Sequence, residues 1–566
     1  MARSRESFEI QLFKDDHWVV HELKDSEKPA RDMAAKLVAN KKVRGVRVVR
    51  NWERSDGSVT ESVIFEKLKE AEEEDARIVA IDEAPVCQQP NDYYALSSRM
   101  TVNRLLRRYF DQAILTPTEL MHNYRQIKKV QELDSLYPSA IDRVATLQTS
   151  DGAGDSRQRR DELFRTFDQM ASRAREAERR RLPELGADFG EVVAKLERCG
   201  SPDDQDYLSL VVLSADLVNN RSWLAKLERV AGLMNDALPS HPLGLLDGAA
   251  ADLIATPAIT EDMLGLQPNL ATTLIRLIDL AEGCYSNDNV DPDAAMPKIN
   301  RLIGEGRLGC CREALVDRIR RALRSAQPLN KNEPSHEKEC FKQVAQRLCT
   351  PTGLFGGPST AEALTLRFGR SLEEGGRGGR NKAIQGCIAA LPEARFRFVY
   401  LLDLAGSEMG AEFLDDIVGH LNYLVGHRDI NRISPRGRPP RERMLHLTAM
   451  HRAALESQLP EAEKARIADL IDEALCQYLL REGIIEKLDD KGSPLRTRAN
   501  HLVNFCAAGV LPERGRSSKL ARERVLVHLR APNFDATYTE GIATDEGRQK
   551  ALRAFHQMLI KGGFAG

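Results

Sequence analysis

Aromatic residues make up only 5% of the 566-residue chain, no segment offers an uncharged apolar run of about 18 residues, and neither sign of charge predominates. Each shortage excludes something. Few aromatics argue against a sheet-dominated protein, and the lack of long apolar runs argues against a membrane-spanning helix. Lys plus Arg number 82 against 84 Asp plus Glu, a formal net charge of -2. No global field therefore recruits nucleic acid or an anionic membrane, and any such binding has to be local. The ten cysteines are scattered rather than paired at tight spacings, which fits reduced thiols better than a disulfide framework. Cys310 and Cys311 are adjacent and cannot readily bridge each other. Met1 to Glu6 mix charge and hydroxyl groups without the apolar stretch of a signal peptide, so a cytoplasmic protein is expected. Arg- and Ala-rich usage suggests a bacterial source.

What is present is a change of period near residue 66. Phe8, Ile10 and Leu12 alternate with Ser7, Glu9 and Gln11, the period of a half-buried strand, and Asp15-Asp16 offers a turn. A second strand is predicted through Trp18, Val19 and Val20. A helix capped near Ser26 and ending around Asn40 follows, with Ala30, Met33, Ala34, Leu37 and Val38 on one face. Val46 to Trp52 and Val59 to Phe65 read as third and fourth strands around a Ser55-Asp56-Gly57-Ser58 turn. The head is β-β-α-β-β. Its strand edges, basic at Arg44, Arg47 and Arg50, suit docking or pairing; the alternative is a folding cap with a solvated basic face.

Beyond the head the pattern is helical, so the expected fold class is mainly α: multidomain helical bundles preceded by a small α/β head. Size supports several domains, and the divisions expected are 1–68, 69–148, 157–330 and 331–566. Lys67 to Asp75 is acidic and expected to be helical, whereas the apolar run Ile78 to Cys87 has no assigned element. Thr116-Pro117-Thr118-Glu119 has the form of a capping box and predicts a helix to about Leu133. A breaker at Asp151-Gly152-Ala153-Gly154 precedes a charged helix over Arg157 to Arg181, whose narrow stripe of Leu163, Phe164, Phe167, Met170 and Ala174 requires a partner. Ser201-Pro202-Asp203-Asp204 starts a helix whose Tyr207 to Val218 segment suits a core, and helices are predicted over Trp223 to Ala237, Leu270 to Cys284 and Arg312 to Leu323. No fixed-period repeat is present.

Fragments of chemical motifs occur without their partners. Tyr400-Leu401-Leu402-Asp403-Leu404-Ala405-Gly406-Ser407-Glu408 resembles the switch sequence of kinesin motors, where an Asp and a Gly sense the terminal phosphate. No G-x-x-x-x-G-K-[ST] loop accompanies it, so a buried helix or strand is expected. His427-Arg428-Asp429 resembles the catalytic triplet of protein kinases, but Ser434 stands where a metal-binding Asn is needed. A polar helix end is expected there. Asn287, Asn289, Asp291 and Asp293 have the alternate spacing of a calcium loop, yet Pro292 and Lys298 occupy the turn and bidentate positions. The pairs His336/Cys340 and Asp416/His420 each supply only two ligands, and His420, His427, His446 and His451 lack a zinc-binding pattern. Neither a metal nor a cofactor is called for, and no catalytic residue is assigned.

Three segments hold candidate binding residues. Arg377, Gly378, Gly379 and Arg380, in a glycine-rich run ahead of a helix starting near Asn381, can present amides and guanidiniums to an anion. Arg432, Arg436, Arg438 and Arg441 lie with Arg428 and Arg443 in a Pro- and Gly-rich loop, and Arg514, Arg516 and Lys519 begin, with Arg522 and Arg524, a helix. Either basic stretch can meet phosphates, although base-stacking aromatics are nearly absent beside them. The functional expectation is a regulatory or scaffolding protein with a protein partner, self-association remaining open. A nucleic-acid-associated regulator and an enzyme with an anion site are the alternatives.

Overall fold

The computed structural model describes residues 5–14, 17–39, 45–53, 59–68, 77–87, 90–133, 135–150, 154–197, 201–265, 267–286, 294–372 and 375–564. Among these residues the chain is mainly α, with 29 α-helices and a single four-stranded antiparallel sheet at the head. No single helix among them is long and apolar enough to cross a membrane.

The head contains β1 (Arg5–Lys14), β2 (His17–Lys24), α1 (Glu27–Ala39), β3 (Gly45–Glu53) and β4 (Val59–Leu68). Its order across the sheet is β2-β1-β3-β4. Period-two alternation sets the faces: Ile10 pairs with Val48 and Leu12 with Val46, and these side chains with Phe8 bury against Ala30 and Ala34 of α1. Bulges interrupt the register at Ile10/Gln11 and at Val48/Val49.

This order corrects the expected basic edge. Arg47 and Arg50 belong to β3, which is flanked on both sides, because α1 carries the chain from the outer strand β2 back to the far side of β1. Arg47 Nε donates to Gln11 Oε1 at 2.7 Å with its guanidinium over the Trp18 ring, and Arg50 pairs with Glu6 at 2.5 Å. Lys67 and Leu68 extend β4, opposite Val46 and Gly45, instead of opening a helix. Arg44, both head turns and the remainder of the acidic stretch lie outside the described residues.

The chain divides into two compact units, one of residues 1–90, 101–115 and 124–173 and one of residues 91–100, 116–123 and 174–566. In the first, the stripe of the helix Ser156–Glu178 has a partner within the chain. Tyr137, from the helix Leu136–Gln148, meets Phe164 edge-on at 5.3 Å and Phe167 at 4.8 Å. The unassigned run after residue 77 is irregular, and its carbonyls at Ile81 and Pro85 accept from Arg143 and Gln148.

In the second unit one hydrophobic core runs from Ala177 to Leu559. Its helix starts follow the capping residues: Thr116 Oγ1 accepts from Glu119 N while Glu119 Oε2 accepts from Thr116 N, and Ser201 accepts from Asp204 N. The helix begun at Pro117 stops sooner than its pattern predicts. It ends at His122, Asn123 is extended (φ -127°, ψ 111°), and a separate helix covers Tyr124–Gln131.

Candidate functional site

A buried polar cluster surrounds the short helix Pro117–His122. Glu119 and Lys226 are 0% and 1% exposed and pair at 2.5 Å. Burial raises the Glu119 carboxyl and lowers the Lys226 ammonium from their ordinary values, and their mutual attraction opposes both shifts. Asp252 Oδ2 accepts from Thr118 N at 2.9 Å and Thr118 Oγ1 at 2.6 Å, and Asp252 Oδ1 accepts from Arg99 Nε at 3.0 Å. Arg99 also donates to the carbonyls of Tyr94 and Gly248. A carboxylate perturbed as Glu119 is marks an active site only when a cleft brings substrate to it. Here each oxygen is spent on holding helices.

That use recurs across the second unit. Asp247 accepts from the amides of Cys310 and Cys311 at 2.7 and 2.9 Å, which start the helix Gly309–Arg324. Asp472 accepts from the amides of Arg516 and Ser517 at the start of Arg516–Leu529. Glu362 accepts from Met409 N at the start of Glu408–Glu412, and Asp403 from Leu354 N. Apart from the Asp403 bond, which serves the bridge residue Leu354, these are caps supplied from remote sequence. Sequence reasoning missed them, although Asp247 and Asp252 inside the apolar run Leu245 to Ile254 were a signal, because a charge in such a run needs a partner.

The glycine-rich run lies within the helix, not ahead of it. The helix begins at Gly376, so Arg377, Gly378, Gly379 and Arg380 form its first turn, with Gly376 at φ +70°, a backbone conformation favourable to glycine. Arg380 pairs with Glu412 at 2.8 Å and Arg377 lies over the Phe413 ring at 5.4 Å. Both cations already have partners.

The basic stretches divide by pairing. Arg438 holds Glu393 through two bonds of 2.9 and 3.0 Å, Arg428 pairs with Glu473, and Arg524 pairs with Glu486 and Asp489. Arg443 is buried over the Tyr478 ring. Arg432, Arg436, Arg441, Arg514, Arg516 and Lys519 are exposed and have no carboxylate partner among the described residues. Arg514 lines a cleft with Arg522 and Lys561; Arg432, Arg436, Arg438 and Arg441 do not.

The remaining fragments serve structure. Tyr400 is fully buried in the helix Ala394–Ala405 and shares a hydrogen bond with Thr365, and Asp429 accepts from Asn431 N at a helix start. His446 accepts from Arg395 and Arg438 at 3.3 Å each, and burial together with these cations lowers its pKa. Burial pushes the thiols of Cys310, Cys476 and Cys506 up to about 11 and those of Cys349 and Cys387 up to about 12. Among the described residues no group of three or more His, Cys, Asp or Glu is placed to hold a metal ion; residues 287–293 lie outside them.

The sheet face turned away from α1 is buried at its centre, at Val49 and Gln11. Opposite α1, Leu23, Glu9, Val49 and Val63 form a row across all four strands, and Val20, Gln11, Arg47 and Glu66 form the next. The middle of this face is a polar ladder, with Asn51 and Gln11 donating to Glu9 at 2.8 and 2.9 Å. Its margins are apolar and solvated: Leu23 is 58%, Val20 48% and Val63 51% exposed. Comparison with known family models, with curated proteins and with solved structures finds no match to the chain.

Proposed function

We propose that this is a cytoplasmic regulatory or scaffolding protein acting through protein–protein interaction, with the head as its partner-facing element. The observation that carries this reading is the pair Val20 and Leu23, exposed side by side on β2, an outer strand. An outer strand with apolar side chains and one unpaired backbone edge is a template for another strand. The occupant that suits it is an extended segment of a partner protein: its amides and carbonyls meet the β2 edge and alternate apolar residues cover Val20 and Leu23. The buried carboxylates support the same reading, since they are engaged in capping and leave chemistry unassembled.

A photo-crosslinking residue at position 23 of the full-length protein, activated in cells, is expected to give one discrete adduct with another protein, lost when Val20→Glu is added. An adduct only with a second copy, accompanied by a dimer in light scattering, replaces partner binding with self-association. Absence of any adduct removes the reading. The nucleic-acid alternative rests on the exposed, unneutralised Arg432, Arg436, Arg441, Arg514, Arg516 and Lys519. It predicts retention on mixed DNA and RNA that falls steeply with salt.

A further inference from the structure

Near the end of the chain, residues of three segments enclose a cleft of about 430 Å³. Arg514 stands just before the helix Arg516–Leu529, Arg522 lies two turns along the same side of that helix, and Lys561 closes the helix Asp545–Lys561. None of the three has a carboxylate within ion-pairing distance among the described residues. Arg524, two positions beyond Arg522, is tied to Glu486 and Asp489, and Arg438 is tied to Glu393 by both its bonds.

The cleft also prearranges one guanidinium. Arg522 reaches the Gly562 carbonyl at 3.5 Å and packs near the Phe564 ring. Gly563 has φ +75°, and a Cβ there would fall 2.7 Å from Arg522 Nη2. Glycine thus lets the planar group lie close to the backbone. The adjacent helix start does not supply the anion site, because Asp472 already occupies the amides of Arg516 and Ser517. Recognition falls to side chains.

We propose that this cleft binds a small phosphorylated ligand. Two guanidiniums and an ammonium face one lining carboxylate, Glu513, which leaves an excess of positive charge suited to a dianion. Guanidinium forks match phosphate oxygens in two-point contacts, whereas the ammonium adds a point charge. The volume lies in the range of small-molecule sites. Occupation by phosphate offsets the mutual repulsion of three cations held in one concavity.

Titration calorimetry of the full chain with inorganic pyrophosphate, at fixed ionic strength set by chloride, tests the proposal. Saturable binding of one pyrophosphate is expected, weakened at least about tenfold by Arg514→Gln and by Lys561→Gln, both exposed positions. Arg522→Lys keeps the charge but removes the fork, and it is expected to weaken pyrophosphate more than it weakens chloride competition. Lys519→Gln, an exposed cation outside the cleft, is expected to leave binding unchanged. No saturable heat, or equal weakening by Lys519→Gln, overturns the proposal in favour of diffuse charge. A single-stranded oligonucleotide that binds more tightly than pyrophosphate and loses that advantage with Arg514→Gln also overturns it, by making the cleft part of a nucleic-acid track.

Discussion

Replacing Lys226 by Met isolates the energetic role of the buried pair. The substitution keeps an unbranched apolar stem of similar length and removes only the ammonium, so the damage comes from stranding the Glu119 carboxylate, 0% exposed, without its 2.5 Å partner. Leaving one buried charge unpaired costs about 3–5 kcal/mol. The unit concerned has roughly 410 residues, for which a loss of about 4 kcal/mol lowers its melting temperature by about 5 °C. Calorimetry of the full chain reads this directly.

The pH dependence of the variant supplies an independent check. The Glu119 carboxyl is raised by burial even with Lys226 present, and removing the ammonium takes away the strongest opposing influence. A carboxyl whose folded pKa lies above its unfolded one favours the fold fully below the unfolded value and loses that contribution as pH rises through the folded value. Acidification is therefore expected to restore part of the stability of Lys226→Met relative to the parent. Glu119→Gln keeps an oxygen for the Thr116 amide, and combined with Lys226→Met it is expected to cost at least about 2 kcal/mol less than the two single changes together. Additive costs, or a Lys226→Met variant within about 1 kcal/mol of the parent, refute the claim that the two charges depend on each other.

Three further outcomes follow from the same contacts. Burial raises the Asp403 carboxyl to about 6 from an ordinary 3.8. Its folded form therefore holds the proton more tightly, and its contribution, full below about 4, declines by about 3 kcal/mol as pH rises through 6. Asp403→Asn, which retains an acceptor for Leu354 N, is expected to abolish that decline, and a flat parent-minus-variant difference in denaturation between pH 4 and 7 contradicts it. Gly283 sits at φ +71° with a would-be Cβ 2.2 Å from Gly304 Cα. Gly283→Ala should cost about 2–5 kcal/mol, read as a lower denaturation midpoint. Asp472→Ala leaves the amides of Arg516 and Ser517 without their acceptor, for an expected loss of about 2 kcal/mol and faster hydrogen exchange confined to the first turn of Arg516–Leu529.

Local signals carried much of the fold. Alternation at Ser7 to Leu12 and the caps at Thr116 and Ser201 each depend on neighbours a few positions away, and each appears where the pattern requires. What escaped was set by topology. Arg47 and Arg50 read as edge residues until the crossover of α1 puts β3 inside the sheet. The stop at His122 lacks a Gly or Pro to announce it, and the cap at its start is completed by Asp252, 134 positions from Thr118. The basic stretches were similarly opaque: Arg438 and Arg514 look alike in sequence, yet one is neutralised by Glu393 and the other lines an open cleft.

The remote caps explain why a chain rich in ionisable residues carries fragments of catalytic motifs without a catalytic centre legible from them. A helix leaves its first amides without internal acceptors, and burying such an end requires an acceptor from elsewhere. Asp247 and Asp252, one on each side of Gly248 in the helix Ser240–Ile254, provide acceptors for two different helix starts, Gly309–Arg324 and Pro117–His122. One helix thereby fixes the positions of two others with charge-assisted bonds that hydrophobic contact alone does not direct. Carboxylates committed in this way are poor general acids or bases, since protonation or displacement would release a helix end. Groups free of that duty include the apolar margin of β2 and the cations of the cleft at Arg514, Arg522 and Lys561.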